Sequence, residues 1–487
     1  MNRKVKPSPR GRQPALLALS IGVMLTAIPN TGLSQEWSSR LGSSHTSGKY
    51  HFTDRDFLNE GAIAVADAGM RVIKIWFYEP ARFYMWNTSF PDRFENYVEM
   101  AKHPHFRELF RRPFDVYVLT MFEDTGFQEG CPDPWPARIE REYHDLTKHL
   151  LTTYRGTGKT FILGHHEGDW HLRGTTDRSP QSDPKPEAIK GMIRWYNARQ
   201  AGTQQARNEV TDTDVKVYHA AEVNLVRLAM QGRPTVTNEV LPHIRCDLVS
   251  YSAYDSVIDA RRADREAEVR RDFRQALDYI KSKIPYQSPF GEKNIFISEY
   301  GAPEQEWQGE VGDQAAAQVE RVCRTTVEVA AQWGCPWIII WEIYDNECRQ
   351  PGDDPRLPAG GPSPGAKPAS SLDLCRGFWL IRVDGTYSTA RNYLTGLLQP
   401  YLVPPADFKA VISTDKQRVQ LTWTEAPNEA NYRIERSVNR GPYRLLSTPP
   451  KDAISFFDAQ VTPGNTCQYR LRAERAGHRP TAWFYSE

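Results

Sequence analysis

Glu167 closes the run Phe161-Ile162-Leu163-Gly164-His165-His166-Glu167, and Glu299 closes Ile295-Phe296-Ile297-Ser298-Glu299. Each follows a short apolar stretch of the kind that forms a buried strand, so each carboxylate falls at a strand's carboxyl end, where parallel α/β folds hold their ligands. Two carboxyl groups facing one another can protonate a leaving oxygen and attack an acetal carbon, or activate water to do so, which is the chemistry that cleaves glycosidic bonds. Around Glu167 the residues His165, His166, Asp169 and Trp170 crowd polar and aromatic groups onto one strand end, which is costly unless they border a solvated cleft. Burial by Trp170 and repulsion from Asp169 are expected to raise the Glu167 pKa, as a general acid needs. Glu299 passes directly from strand to turn, and hydroxyl donors would keep it ionised; Tyr254 is the expected donor.

The elements that must position these groups repeat as strand, loop and helix. Strands are expected at 40–44, 70–77, 114–122, 160–164, 215–221, 247–252, 294–298 and 336–341. Helices are expected between them at 54–68, 91–110, 139–154, 186–207, 261–284 and 313–333. Units of about 45 residues with intervening helices require right-handed crossovers and a parallel sheet, and eight units predict a closed (β/α)8 barrel. Residues 167 and 299 are 299 − 167 = 132 positions apart, three units of about 44, which assigns them to strands four and seven. An open doubly wound sheet would need a glycine-rich phosphate turn at an early strand-to-helix junction, and none is present.

Other residues compete for the barrel mouth. Trp76, Tyr78, Tyr84, Trp86, Trp135, Trp170, Trp307 and Trp341 all follow or end strands, and sugar rings stack their CH faces on such side chains. Glu222 and Asn224 after strand five, with His166, Trp170, Tyr254 and Trp341, form the expected substrate-binding set. Glu123, Asp124, Glu342, Asp345 and Glu347 are further polar candidates, one of which could be the second carboxylate, and Lys74 is expected to be an ion-pair partner in the pocket. His165, His166, His171 and Asp345 offer zinc-type ligands. Neighbouring strand residues point to opposite faces, however, so His165 and His166 are not expected to share an ion. No metal and no cofactor is expected.

Outside the barrel the sequence changes character. After Pro404-Pro405 the helical period stops and alternating strands begin, as in Val419-Gln420-Leu421-Thr422-Trp423 and Gln468-Tyr469-Arg470-Leu471. This predicts a small all-β sandwich over 404–487 after a barrel over 35–403. At the other end Arg3, Lys4, Lys6, Arg10 and Arg12 precede the mostly apolar stretch Ala15 to Ile28 and the small-residue site Gly32-Leu33-Ser34. That order predicts a signal peptide over 1–34, its apolar part shorter than the roughly 20 residues a membrane span needs. The mature chain is then expected to be secreted or periplasmic, with no membrane attachment. In all, 61 basic and 60 acidic residues nearly cancel, which argues against a nucleic-acid partner. Of seven cysteines, Cys348 and Cys375 are the expected bridge, because they flank a Pro/Gly-rich loop, and Cys246 and Cys323 are expected to be free core residues.

With Glu167, Glu299 and Trp341 at these positions, the barrel resembles the large clan of retaining glycoside hydrolases that contains cellulases, mannanases and β-galactosidases. That resemblance implies an acid/base at Glu167, a nucleophile at Glu299 and a carbohydrate substrate. His166 stands where the clan usually has an asparagine that contacts the sugar's 2-hydroxyl. The tail resembles a fibronectin type III domain, with Trp423 on its second strand and Cys467 where that family usually has a tyrosine. Two alternatives stay open: a non-catalytic carbohydrate-binding protein on a degenerate barrel, and a metal-dependent barrel hydrolase.

Overall fold

The computed structural model describes residues 37–123, 126–305, 312–349, 367–398, 406–414, 417–425, 431–474 and 484–485. The leader expected over 1–34 and the platform residue Trp307 lie outside the described residues. Eight parallel strands close into a barrel in sequence order. They are β1 (Leu41–His45), β2 (Val72–Trp76), β3 (Val116–Thr120), β4 (Thr160–Gly164), β5 (Lys216–Val223), β6 (Leu248–Ser252), β7 (Ile295–Glu299) and β8 (Ile338–Ile340). Pairing of β1 with both β2 and β8 makes the closure.

Alternation along each strand decides which side chains enter the barrel. Val72, Val116, Val118, Ile162, Ala220, Leu248, Phe296 and Ile339 pack together as one cluster. The intervening residues, such as Ile73, Ile75, Tyr117, Phe161 and Leu163, join the larger core with the surrounding helices. The period of two that buries Val72 also turns Lys74 and Trp76 inward, and the one that buries Ala220 turns Glu222 inward. Around the barrel run helices Phe57–Asp67, Trp135–Thr153, Pro186–Glu209, Glu266–Ser282 and Asp313–Trp333. Helix Pro186–Glu209 lies so close to Trp135–Thr153 that a Cβ on Gly202 would stand 2.0 Å from the Glu140 carbonyl oxygen, so glycine is required there.

Beyond the barrel, β9 (Ala406–Ile412), β10 (Val419–Thr424) and β13 (Ser455–Asp458) form one antiparallel sheet. A second contains β11 (Asn431–Val438), β12 (Arg444–Ser447), β14 (Cys467–Glu474) and β15 (Phe484–Tyr485). Leu421, Trp423, Tyr432, Ile434, Tyr469 and Leu471 form their shared core, as alternating inward faces of two packed sheets require. Tyr469, two residues after Cys467, is the buried tyrosine of β14, and its hydroxyl donates to Asp458 at 2.8 Å.

Two expectations change. No disulfide joins Cys348 to Cys375; the two face each other on an antiparallel backbone bridge instead. The chain on either side of these cysteines is tied together by Asp345, whose carboxylate accepts the backbone N–H groups of Gly377 (2.5 Å) and Glu347 (2.8 Å). The helix expected over 91–110 is two, Tyr97–Lys102 and Pro104–Arg111, because Pro104 cannot continue the first and suits the first position of the second.

Behind the mouth, buried Glu304 ties the loop after β7 to the segment after β8. It accepts from Trp379 Nε1 (2.6 Å), from Arg382 Nη2 and Nε (both 2.9 Å) and from the Thr389 N–H (2.9 Å). Burial alone would raise its pKa, but Arg382 and these donors outweigh burial and hold the carboxyl below the usual range. A carboxylate so depressed contributes stability above its unfolded pKa of about 4.3, and that contribution is lost as pH falls through the lower folded value. Glu304→Gln should therefore cost about 3 kcal/mol at pH 7 and flatten the acid limb of stability below about pH 4. Urea titrations across pH 3–7 check this; an unchanged acid limb would refute it.

Candidate active site

The carboxyl ends of the strands open into a cleft of about 660 Å³ lined by Trp76, His166, Glu167, Tyr254, Glu299, Trp341 and Phe378, together with Arg178, Arg227, Asp255, Glu347 and Arg376. Glu167 and Glu299, expected to pair from their spacing, share this wall. Glu299 ends β7 at a break in register, where Tyr251 faces Ile297 but Ser252 faces Glu299. Strict alternation would send Ser298 and Glu299 to opposite faces; the irregularity turns both inward, as bulges beside functional sites do. Ser298 Oγ then donates to Glu222 Oε2 at 2.7 Å, while Glu299 receives Lys74 Nζ at 2.7 Å and Ser252 Oγ at 3.3 Å.

Lys74 is the buried hub. Its ammonium lies 2.7 Å from Glu299 and 3.7 Å from Glu222. Burial alone would lower its pKa, but the charges of Glu222 and Glu299 outweigh burial and raise it, so the ion pair expected of Lys74 is present with two partners. The hydroxyl donor to Glu299 is Ser252 rather than Tyr254, which lines the same cleft next to it.

Glu167 lies just beyond β4 with φ 45° and ψ 48°, a left-handed conformation that costs a non-glycine residue about 1–2 kcal/mol and is found where surrounding structure enforces it. The enforcement comes from β5. The Glu167 N–H donates to Glu222 Oε1 at 2.5 Å, and a Cβ on Gly168 would sit 2.3 Å from the Glu222 carbonyl oxygen. Gly168→Ala should push the turn off β5 and displace Glu167, lowering stability by about 1–3 kcal/mol, the usual cost of overpacking. Urea unfolding with a midpoint equal to that of the parent would show that the turn has slack.

The Glu167 carboxyl is pushed up to about 8, first by burial and then by the charges of Glu299 and Glu222. The neighbour expected to repel it, Asp169, is turned away: it accepts the N–H groups of Val236 (2.7 Å), Asn224 (2.9 Å) and Leu225 (3.0 Å). Asn224 is correspondingly corrected from sugar contact to buried anchor, its side-chain oxygen accepting the Asp169 N–H at 2.8 Å. Glu222 is also wholly buried, so it braces the Glu167 turn and Lys74 rather than meeting a ligand.

Among the aromatics, Trp76 and Trp341 both line the cleft and pack on each other, tilted by 44° with ring centroids 6.3 Å apart, and the peptide bond after Trp341 is cis. His166 lies against Trp76 at 4.9 Å and stacks on Tyr78 at 6.1 Å. Trp170 stands outside the lining and supports it, with the Arg178 guanidinium 5.2 Å above its ring. Tyr84 is core, donating to the His45 carbonyl at 2.9 Å, and Trp135 borders a separate cavity of about 280 Å³ beside Tyr97 and Glu142. Glu123 sits behind the wall, held by Tyr97, Trp195 and Tyr143. Asp124 lies outside the described residues. Glu342 and Asp345 are buried, whereas Glu347 reaches the cleft and pairs with Arg376 at 2.8 Å.

His165, His166 and His171 do converge, each offering a nitrogen within 4.8 Å of the others. The opposite-faces argument fails because β4 ends at Gly164 and both His165 and His166 lie past the pleat. Phe378, Arg178, Arg227 and Arg376 were not foreseen; Arg227 is on the short helix Val226–Met230 and the others lie in segments without periodicity.

The molecule is thus an eight-stranded α/β barrel with a carboxylate-lined cleft at the strand ends, followed by small antiparallel sheets. No family model and no curated protein matches the chain. Among solved structures, an Fn3-like protein from Clostridium thermocellum is similar at 25% identity over 18% of this chain and 92% of its own, with a TM-score of 0.16. A structure titled FN3tt is similar at 18% identity over 18% of this chain and 89% of its own, TM-score 0.16. A beta-1,2-glucanase from Parabacteroides distasonis is similar at 17% identity over 18% of this chain and 12% of its own, TM-score 0.15. Each similarity reaches less than a fifth of this chain and defines no activity for it. No helix among the described residues is long and apolar enough to cross a membrane.

Proposed function

We propose that the protein is a secreted or periplasmic glycoside hydrolase that cleaves a polysaccharide or oligosaccharide by retaining double displacement. The observation that carries this reading is one cleft holding two carboxyl groups in opposite surroundings. Glu299 is hydrogen-bonded by an ammonium and a hydroxyl, which suits an ionised nucleophile, whereas Glu167 is pushed toward its protonated form, which suits an acid.

In the first step Glu167 gives its proton to the leaving glycosidic oxygen while a Glu299 oxygen attacks the anomeric carbon and forms a glycosyl ester. Esterification removes the Glu299 charge that helped to raise Glu167, so the carboxylate left at Glu167 is a competent base. It then takes a proton from water, whose oxygen attacks the anomeric carbon and releases Glu299. Trp76, Trp341 and Phe378 provide apolar faces for sugar rings.

The test is a screen of the purified full chain on plant, algal and microbial polysaccharides, with products sized by chromatography and their first-formed anomer read by NMR. Retention of the substrate's anomeric configuration is expected. Inversion would reject the double displacement, and binding without hydrolysis of any glycan would favour the non-catalytic alternative.

A further inference from the structure

We propose that His165, His166 and His171 form a binding site for a divalent transition-metal ion, zinc foremost, at the turn that carries Glu167. This site does not rest on the two-carboxylate chemistry.

Three features of the cluster point to a ligand. His166 Nε2 and His171 Nε2 stand 3.4 Å apart, long for a hydrogen bond and close to the separation of two nitrogens sharing one tetrahedral zinc at about 2.0–2.1 Å each. His165 supplies a third nitrogen within 4.8 Å of both. Both ring nitrogens of His165 are buried without a hydrogen-bond partner, as is Nδ1 of His166. A neutral imidazole carries one N–H and one lone pair, and leaving such buried groups unsatisfied costs about 1–3 kcal/mol each. An ion accepting the lone pairs relieves part of that cost. Coordination and proton therefore divide the ring nitrogens between them.

The surroundings fit a soft-to-borderline cation better than a hard one. The donors are nitrogens, and Phe122 packs on His171 at 4.8 Å and on His165 at 5.7 Å, an apolar flank that offers no oxygen ligands to calcium or magnesium. The chain path also fits: β4 ends at Gly164, the turn presents His165 and His166, and helix Gly168–Arg173 returns His171 to them. Three protein ligands leave a fourth position for water. Because His166 also lines the cleft, an ion here fixes the ring beside the proposed acid.

Full-length protein dialysed against a chelator and then titrated with Zn²⁺ in competition with a chromophoric chelator should take up one ion per chain. His171→Ala, at a partly buried position on a short helix, should weaken that uptake by about 100-fold, while His243→Ala, on an exposed residue elsewhere, should leave it unchanged. Loading the unaltered protein with Co²⁺ should give the visible absorption of a tetrahedral nitrogen-rich site, a reading that needs no variant to fold. Absence of stoichiometric Zn²⁺ uptake, absence of that absorption, or equal affinity in His171→Ala and parent would each overturn the site. None of these readings involves turnover, so their failure leaves the glycosidase proposal standing.

Discussion

Glu299→Gln should abolish hydrolysis while leaving the fold intact. The amide is isosteric, so it keeps its place at the end of β7 and can still meet Ser252, but it cannot attack an anomeric carbon. Losing the nucleophile should lower kcat by about 10⁵-fold, about 7 kcal/mol at 1.36 kcal/mol per decade. The same change leaves Lys74 with Glu222 alone, so a modest fall in stability accompanies the kinetic loss. Far-ultraviolet circular dichroism and thermal melting separate the two effects. A variant that melts like the parent and retains more than a hundredth of its activity would refute the assignment of the nucleophile and turn attention to another carboxylate of the wall.

Glu167→Ala should behave differently, and the difference tests the roles rather than the site. A positioned general acid contributes about 10²–10⁴-fold, so natural substrates should suffer by that factor. Aryl glycosides with good leaving groups need no protonation; with them the variant should form the glycosyl ester and stall, because no base remains to activate water. Azide, which attacks without a base, should restore turnover and yield a glycosyl azide of retained configuration. In chelator-treated parent enzyme the acid must be protonated for the first step. Hence kcat/KM on unactivated substrates should fall as pH rises through about 8, and that limb should be missing from the azide-rescued variant. Rescue with inverted product, or an alkaline limb that survives in the variant, would show that Glu167 is not the acid.

The barrel was legible because its signals are local. β4 over Thr160–Gly164 and helix Asp313–Trp333 follow the expected limits, the first ending at a glycine and the second at Gly334, whose positive φ of 102° closes a helix. The first strand, expected at 40–44, is displaced by one residue, to Leu41–His45. The carboxyl pair was legible from its strand ends, and Lys74 from its place on strand two.

The partners were not legible, since proximity in the chain is a poor guide to proximity in space. Asp169 is two residues from Glu167 yet serves Val236 and Asn224, while the charges that act on Glu167 arrive from residues 222 and 299. Nor could strand alternation reveal that Glu299 turns inward beside Ser298, because that depends on a register break between β6 and β7. His165 and His166 were set apart for a related reason: the pleat rule was applied past the end of the strand.

The single ammonium of Lys74 held between Glu222 and Glu299 has a consequence for how the proposed activity responds to its medium. On the proposed cycle, ester formation neutralises Glu299 in the same step that ionises Glu167, and hydrolysis reverses both. The electrical load around Lys74 is then the same in the resting enzyme and in the covalent intermediate, and turnover calls for no ion to enter or leave the cleft. For an uncharged substrate, kcat should accordingly be nearly indifferent to ionic strength, so the catalyst would work alike in dilute and in brackish water.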